Sequence, residues 1–337
     1  MALLSKDELL DRVVDAVRLS GWTAIVLAEG RPFRIRAIKR EESVSLLVYI
    51  WNITSGGPET VRPAGELRIQ ITGVEPPLAV DRGSLTLLLG WHDELSVFAG
   101  YDVVRHRTFS RASPSLQVRQ TTLENAAQRG MAAQHRTSQD IVVGFTPDQF
   151  MNYATHQAEL HQFRTGVEFE VLQAATAGQD IPEEDVDALP APRQPVIRTV
   201  QQWPRLRSFR IGVLAAYDGH CAICRIQLDL VEAAHIIPVG HPESNEMKCN
   251  GLALCPLHHD AYDDALLGVG DNYHIVANAA RLDDLVARGI GTGADLFRTL
   301  HCSTILLPPS QPDRPRPAYL REGLRVRGWP ADMWAAP

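Results

Sequence analysis

The sequence predicts an α+β protein in which an N-terminal antiparallel-sheet domain with helices is followed by a linker and a smaller C-terminal domain. Three observations predict this organisation. Residues 22–107 alternate short β-branched and aromatic runs with glycine, proline and asparagine, which is typical of antiparallel strands. Residues 175–203 are rich in proline and acidic residues, which is typical of a linker. Beyond them, cysteine and histidine residues occur at metal-ligand spacing between positions 221 and 259.

The composition is that of a globular protein with a modest negative charge. A chain of 337 residues is long enough for two domains, and it has no apolar run of membrane-spanning length. The start, MALLSKDELLDRVVDAVRLSGW, has the pattern of an amphipathic helix rather than of a signal peptide. We therefore expect a cytoplasmic protein that does not bind a membrane. A net charge of −7 argues against coating of nucleic acid by the whole surface but permits a local basic face.

The first domain is expected to span residues 1–174. After the sheet strands, the segment from Leu123 to about Arg164 has a helical pattern, in which Thr146 is a plausible N-cap and Pro147 takes the first position. Helices packed on a mainly antiparallel sheet make this domain α+β. The linker then covers residues 175–203.

The second domain is expected to span residues 204–337 and to begin with a helix. In LRSFRIGVLAAYDGH, Leu206, Phe209 and Val213 share one helical face, whereas Arg207 and Arg210 lie on another. The apolar face would pack against the rest of the domain. Arg207 and Arg210 are candidates for contact with a negatively charged partner.

Two short motifs in the second domain form a candidate zinc site. Cys221 and Cys224 make one pair with a two-residue gap, and Cys255 and His258 make a second pair with the same gap. Two such pairs can enclose a tetrahedral zinc ion with three thiolates and one imidazole. Cys249 is an alternative fourth ligand in place of His258. The sequence therefore predicts a structural zinc ion in this domain.

The residues between and after the two pairs carry a resemblance to a known family. LVEAAHIIPVG contains His235, and NGLALCPLHHDAYDD contains Asn250 and His259, so a His, Asn, His series surrounds the zinc motifs. This region, about residues 209–275, resembles the HNH or ββα-metal endonucleases, in particular their restriction-type branch. The resemblance implies a C-terminal zinc-stabilised ββα-metal (HNH) domain that hydrolyses phosphodiester bonds.

The resemblance also implies a role for each residue of the series. His235 is expected to be the general base that takes a proton from the attacking water. Asn250 is expected to orient His235 or the metal-bound groups. His259 is expected to be a ligand of a catalytic divalent ion, Mg²⁺ or Mn²⁺. Because consecutive helical residues are turned by about 100°, His258 and His259 are expected to face different ions.

One position departs from the pattern of the family. Many ββα-metal nucleases have an acid or a histidine immediately before the general base, where this chain has Ala234. Asp263, one helical turn after His259, has three interpretations. It replaces the missing ligand of the catalytic ion, it holds His259 by a hydrogen bond, or it is a solvated helix residue.

The first domain is the candidate for choosing the target. Its RPFRIRAIKR segment places Arg34 and Arg36 on one face of a strand, either as a phosphate-binding stripe or as charges that protect an edge strand. Five aromatic residues are candidates for a pocket around an extruded base, although core packing is the favoured interpretation. They are Tyr49, Trp51, Trp91, Phe98 and Tyr101.

Together these features predict a restriction-type endonuclease that cuts double-stranded DNA, with modified DNA as one alternative target. Cutting two strands with one site per chain favours a homodimer. Two other functions remain open at this point. One is a zinc-stabilised DNA-binding module that has lost cleavage, and the other is a nuclease effector regulated by a partner or signal bound to the first domain.

Overall fold

The computed structural model describes residues 3–55, 65–109, 114–137 and 139–330. The chain divides into two compact units, Met1–Pro204 and Arg205–Pro337. No helix in the described part of the chain is both long enough and apolar enough to cross a membrane.

The first unit is built on a large sheet. Its strands are β1 (Thr23–Ala28), β2 (Phe33–Lys39), β3 (Glu42–Asn52), β4 (Glu66–Gln70), β5 (Leu85–His92), β6 (Val97–Tyr101), β7 (Ser115–Arg119), β8 (Met131–Thr137) and β9 (Asp140–Phe145). Among the described residues, seven strands form one sheet in the order β1, β2, β3, β5, β6, β9, β8. Neighbours are antiparallel except β3 and β5. The mainly antiparallel sheet is therefore confirmed.

The central strands of the sheet are buried on both faces, whereas β1 and one face of β2 are more exposed. In β3, Leu46 and Val48 belong to the core on one face, whereas Leu47 and Tyr49 belong to the core on the other. This alternation follows from the two-residue period of a strand. The five aromatic residues considered for a base pocket are all at most 5% exposed and pack in these cores. Core packing is thus their role in the fold.

Helices of the first unit pack against the sheet. They are α1 (Lys6–Leu19), α2 (Gln120–Arg129), α3 (Phe150–Leu160), α4 (Gly166–Thr176), α5 (Glu183–Asp187) and the first part of α6 (Gln194–Ala216). At the start of α1, the Ser5 hydroxyl accepts from the backbone of Glu8, and the Glu8 carboxylate accepts from the backbone of Ser5. This reciprocal cap satisfies two backbone donors that the helix leaves unpaired.

The helical pattern expected from Leu123 to Arg164 was wrong over residues 131–145. That stretch forms β8 and β9, because the β-branched run in DIVVGF completes the sheet beside β6. A 3₁₀ turn at Pro147–Gln149 then leads into α3. Thr146 does not cap it through its side chain, since its hydroxyl donates to the carbonyl of Gly130.

The segment at residues 175–203 is not a linker. It forms α5 and the first part of α6, and its apolar side chains belong to the core of the first unit. Val196, Val200 and Trp203 follow one another at helical spacing and are at most 5% exposed. The prolines and acids of this segment conceal an amphipathic helix, and the first unit extends to Pro204.

The second unit contains a hairpin followed by a helix. Its elements after α6 are β10 (Glu232–His235), β11 (Gly251–Leu254), α7 (Pro256–Asp263), β12 (Leu267–Val269), β13 (Ile275–Ala277), α8 (Ala279–Ala287), α9 (Ala294–Phe297) and α10 (Pro317–Val326). β10 and β11 pair antiparallel, and α7 follows β11 directly. A side chain at Gly251 would lie 2.3 Å from Val213, so glycine lets β11 approach α6 closely. The predicted ββα arrangement, and with it the α+β class, is confirmed.

Candidate metal centre and active site

Four side chains from two separate segments meet in the second unit. The possible ligand atoms of Cys221, Cys224, Cys255 and His258 all lie within 4.8 Å of one another. The Nδ1 atom of His258 lies 3.7 Å from Cys221 Sγ and 3.2 Å from Cys255 Sγ. Three sulfur atoms and one imidazole nitrogen at such spacings suit the tetrahedral coordination of zinc. The cluster can therefore hold a zinc ion.

The electrostatics of the cluster also suit a cation. Burial raises the pKa of Cys221, but hydrogen bonds from His258 and the backbone outweigh it and lower that pKa to about 6. Burial raises the pKa of Cys224 to about 12 and also raises the pKa of Cys255. A bound metal ion would stabilise all three thiolates, so metal binding and proton release are linked.

Cys249 does not join this cluster. It is buried in the short helical turn before β11, and its carbonyl accepts from the backbone N–H of Arg316. His258 takes the fourth position instead, because α7 begins at Pro256 and its first turn carries His258 back over Cys255. Of the two alternatives for the fourth ligand, the geometry selects His258.

The adjacent histidines of α7 contact different groups. His258 is 1% exposed and lies against the cysteines. The ring of His259 lies between two carboxylates, with Nδ1 3.0 Å from Glu232 and Nε2 3.5 Å from Asp263. Since Glu232 opens β10, the helix imidazole rests against the strand that carries His235.

His235 ends β10 and is held from two sides. Its ring stacks on Phe209 of α6, with ring centroids 3.8 Å apart and an interplanar angle of 12°. Its Nε2 atom lies 3.0 Å from the carboxylate of Glu246. With its side chain only 13% exposed, this imidazole has a fixed orientation and a fixed neighbour for one nitrogen.

Asn250 immediately precedes β11, and its side chain bonds to the backbone of the loop after His235. It is fully buried, its amide oxygen accepts from the N–H of Ile237, and its amide nitrogen donates to the carbonyls of Ile237 and Asn245. These bonds close the loop that follows His235. These hydrogen bonds of the Asn250 amide thus go to the backbone beside His235 and not to its ring.

The C-terminal end of the second unit contributes Arg327. Its guanidinium donates to the carbonyls of His235 and Ile236, and at 2.9 Å to the carboxylate of Asp263. It also lies 4.2 Å from the centre of the Tyr262 ring. The arginine side chain is only 7% exposed, so it joins the strand of His235 to the helix of His259 from inside the protein.

A family model described as HNH endonuclease matches residues 221–270. These residues form an HNH endonuclease domain. A second family model, described as Methylase-associated X1, matches residues 44–154 in the first unit. No curated protein matches the sequence.

Among solved structures, one titled "Modification dependent TagI restriction endonuclease" is 12% identical and covers 82% of this chain and 80% of its own, with a TM-score of 0.29. A TM-score of 0.29 is too low to indicate a shared fold.

Within the HNH domain, the position before His235 is a core position. Ala234 is 1% exposed and belongs to the apolar cluster of the second unit. A methyl group there offers no ligand atom. Ala234 therefore cannot supply a protein ligand to a catalytic ion.

The four arginine candidates for DNA contact lie on two elements. Arg34 and Arg36 share the outer face of β2, where Arg34 is 3.8 Å from Asp81 and Arg36 donates to serines of β3. β2 lies between β1 and β3, so these arginines do not protect an edge strand. Arg207 and Arg210 are half-buried on α6. Contact of these four with DNA stays a prediction.

Three residues near the HNH site were not found from the sequence. Glu232 lies in the LVEAAH stretch. The only signal in the sequence for its place near the site was an acidic residue three positions before His235. Glu246 follows in a polar loop and reaches His235 only because that loop folds back. Arg327 is 92 positions away in the chain from His235, whose carbonyl it binds, and no local pattern reveals such a contact.

Proposed function

We propose that this protein is a restriction-type DNA endonuclease whose C-terminal HNH domain cuts and whose N-terminal unit chooses the target. One observation carries the proposal. The residues matched by the HNH endonuclease model form a hairpin and helix on which His235 and His259 are held by carboxylates. Phosphodiester hydrolysis needs a group that activates water and a group that holds an ion near the phosphate.

His235 is the proposed general base. The Glu246 carboxylate is an acceptor for a proton on Nε2, which fixes the tautomer with its lone pair on Nδ1. Stacking on Phe209 keeps the ring in place. Nδ1 can then take the proton of a water molecule that attacks phosphorus, and Glu246 stabilises the resulting imidazolium. Asn250 supports this arrangement by closing the loop after His235.

His259 is the proposed protein ligand of the catalytic divalent ion, Mg²⁺ or Mn²⁺. The donor set around it fits such an ion, since an imidazole nitrogen lies beside carboxylate oxygens on the partly exposed side of α7. When bound, the ion neutralises negative charge that develops on the phosphate and the leaving oxygen. The zinc ion at the cysteine cluster is structural in this proposal and needs no contact with DNA.

The first unit is the proposed target-selecting part. Its match to a family described as methylase-associated fits an endonuclease whose cutting responds to methylation, so a modified base that either permits or blocks cutting is part of the proposal. Arg34 and Arg36 supply positive charge on the outer face of its sheet, and Arg207 and Arg210 supply it on α6. Cutting both strands favours a homodimer, and five free cysteines favour the reducing cytoplasm.

One alternative function has an observation in its favour. Ala234 removes a ligand position that many HNH nucleases use, as it would in a zinc-stabilised DNA-binding module without cleavage. The fixed orientations of His235 and His259 favour cleavage over this alternative. The two functions differ in whether DNA is cut or only bound.

Plasmid cleavage tests the proposal. Zinc-loaded protein is incubated with methylated or unmethylated plasmid in Mg²⁺, Mn²⁺ or EDTA. We expect cutting with a divalent ion and none in EDTA. His235→Ala should slow cutting by about 10²- to 10⁴-fold with DNA binding retained, because the general base lowers the reaction barrier only. His274→Ala, at an exposed residue outside the site, is the matched control. Binding without cutting by the unchanged protein would favour the alternative.

A further inference from the structure

The HNH domain lacks an evident second protein ligand for its catalytic ion. Ala234 occupies the usual position and is buried in the core. Because side chains of a strand alternate, Glu232 projects to the same side of β10 as Ala234, two positions earlier. At the start of the strand this side emerges from the core, and the side chain of Glu232 is 37% exposed. The carboxylate of Glu232 therefore lies on the side of β10 where Ala234 offers no ligand atom.

Two carboxylates flank the imidazole of His259. Glu232 Oε2 lies 3.0 Å from Nδ1, and Asp263 Oδ2 lies 3.5 Å from Nε2. An imidazole binds a metal ion through one nitrogen, and its other nitrogen commonly donates to a carboxylate that fixes the ring. One of the two acids can therefore share an ion with His259, while the other holds the ring from the opposite side.

The surroundings of Asp263 decide between the two acids. Its Oδ1 atom accepts from Arg327 at 2.9 Å, and this arginine is fixed by the carbonyls of His235 and Ile236. A permanent guanidinium charge beside a carboxylate makes that carboxylate a poor place for a second cation. Held by Arg327, Asp263 is instead well placed to accept the Nε2 proton of His259.

We infer that Glu232 and the Nδ1 atom of His259 hold the catalytic divalent ion, and that Asp263 and Arg327 position the imidazole. The spacing fits this role, because neighbouring ligands of an octahedral ion with bonds of about 2.1 Å lie about 3.0 Å apart. Oxygen and imidazole donors, with water completing the shell, suit Mn²⁺ or Mg²⁺. This inference rests on the proposed nuclease function only in calling the ion catalytic, since binding of the ion does not depend on cleavage.

Direct binding of Mn²⁺ tests the inference without DNA. The zinc-loaded full chain is titrated with Mn²⁺, and free Mn²⁺ is followed by electron paramagnetic resonance. Glu232→Gln and Asp263→Asn are matched variants, since each removes one charge from one side of the same ring. We expect E232Q to weaken Mn²⁺ binding by about 100-fold or more, and D263N by about 10-fold, as for loss of an orienting residue.

Zinc content and thermal melting verify that both variants are folded. Should E232Q lose zinc, Glu232→Asp replaces it, and its shorter side chain should weaken Mn²⁺ binding by more than D263N does. A larger loss in D263N than in the Glu232 variant, or unchanged Mn²⁺ binding in the latter, would overturn the assignment.

Cleavage assays separate this inference from the proposed function. Mn²⁺ binding that depends on Glu232, in a protein that cuts no DNA, would support the metal assignment and overturn the nuclease. Normal cutting by E232Q together with loss of cutting by His235→Ala would overturn the metal assignment and leave the nuclease intact.

Discussion

The two units of this protein are stabilised in different ways. The first unit has strands of up to 11 residues and apolar cores on both faces of one sheet. The second unit pairs strands of four residues in the hairpin of β10 and β11 and adds a smaller apolar cluster. Four side chains that can hold a zinc ion and one buried arginine connect segments that lie far apart in its sequence.

This difference determines how much one residue can matter. In the first unit the burial energy is spread over many apolar side chains, so a typical substitution removes a small share of it. In the second unit a few polar groups hold segments that lie far apart in the chain. Removing one of them should release a whole segment, and the predictions below test this contrast in order of expected effect.

Loss of a zinc ligand should have the largest effect. Cys255→Ser should unfold the second unit and leave the first unit folded, because structural zinc sites contribute about 10 kcal/mol or more of folding free energy. Metal analysis should find about one zinc ion per unchanged chain and none in the variant. Limited proteolysis should then yield a resistant fragment ending near Pro204.

Cys302→Ser is the control for this experiment, since Cys302 is exposed and lies outside the cluster. It should retain zinc and a protected second unit. A folded, zinc-free C255S protein would show that the apolar cluster alone maintains the second unit, and the contrast between the units would fail.

The adjacent histidines sharpen the contrast within the second unit. His258→Ala should lose zinc and thermal stability, whereas His259→Ala should keep both and lose cleavage that depends on a divalent ion. His258→Cys should retain zinc, because thiolate is an equally good ligand at that corner. Zinc content, melting temperature and plasmid cutting measure the three outcomes. Retention of zinc by both alanine variants would instead favour Cys249 as the fourth ligand.

Acid should unfold the two units at different pH. In the first unit, burial raises the pKa of Asp140, but bonds to His106 and Arg136 outweigh this and lower it to about 2 from an ordinary 3.8. A carboxyl group whose pKa is lowered by this amount stabilises the folded state by about 2 kcal/mol above about pH 4. This stabilisation is lost as the pH falls toward 2. Protons compete with zinc for its ligands at higher pH, so the second unit should unfold first.

Zinc release to a colorimetric chelator and protection of the first unit from pepsin follow the two transitions separately. Asp140→Asn should lower the stability of the first unit at pH 7 by about 2 kcal/mol without releasing zinc. Unfolding of the first unit at the pH where zinc is released would show that the two units do not behave independently in acid.

The smallest effect is expected for the surface arginines of the first unit. Replacing Arg34 and Arg36 by glutamine should weaken DNA binding uniformly across sequences. The slope of the logarithm of the binding constant against the logarithm of the salt concentration should fall by an amount equivalent to about two phosphate contacts. Folding and zinc content should not change, since both residues lie on the outer face of β2. Arg18→Gln on α1 is the control. Equal salt dependence of DNA binding in the unchanged protein, the Arg34 and Arg36 variant and the control would show that Arg34 and Arg36 do not contact DNA.

Local patterns predicted the parts of the fold that depend on neighbouring residues. The β-branched runs predicted the sheet, and the two-residue gaps predicted the metal ligands. The helix after Gln194 was missed because its prolines and acids obscured the apolar spacing of Val196, Val200 and Trp203. β8 and β9 were missed because their burial depends on pairing within the sheet, which a single strand sequence does not reveal.

The same limit applies to the site. His235, Asn250 and His259 were recognisable because they fall within one short family motif. Their partners Glu246 and Arg327 were not, since each contact depends on how a distant segment folds back. The orienting role expected of Asn250 stays a prediction, and its buried amide bonds to the backbone of the loop after His235.

Arg327 also bears on how such genes can be inactivated. The residues matched by the HNH model end at position 270, so a nonsense or frameshift mutation after that point leaves every motif residue encoded. A product ending before residue 317 would lack α10 and Arg327, and with them the bonds to the carbonyl of His235 and the carboxylate of Asp263. An intact motif in a shortened reading frame is therefore weak evidence that the HNH site is intact.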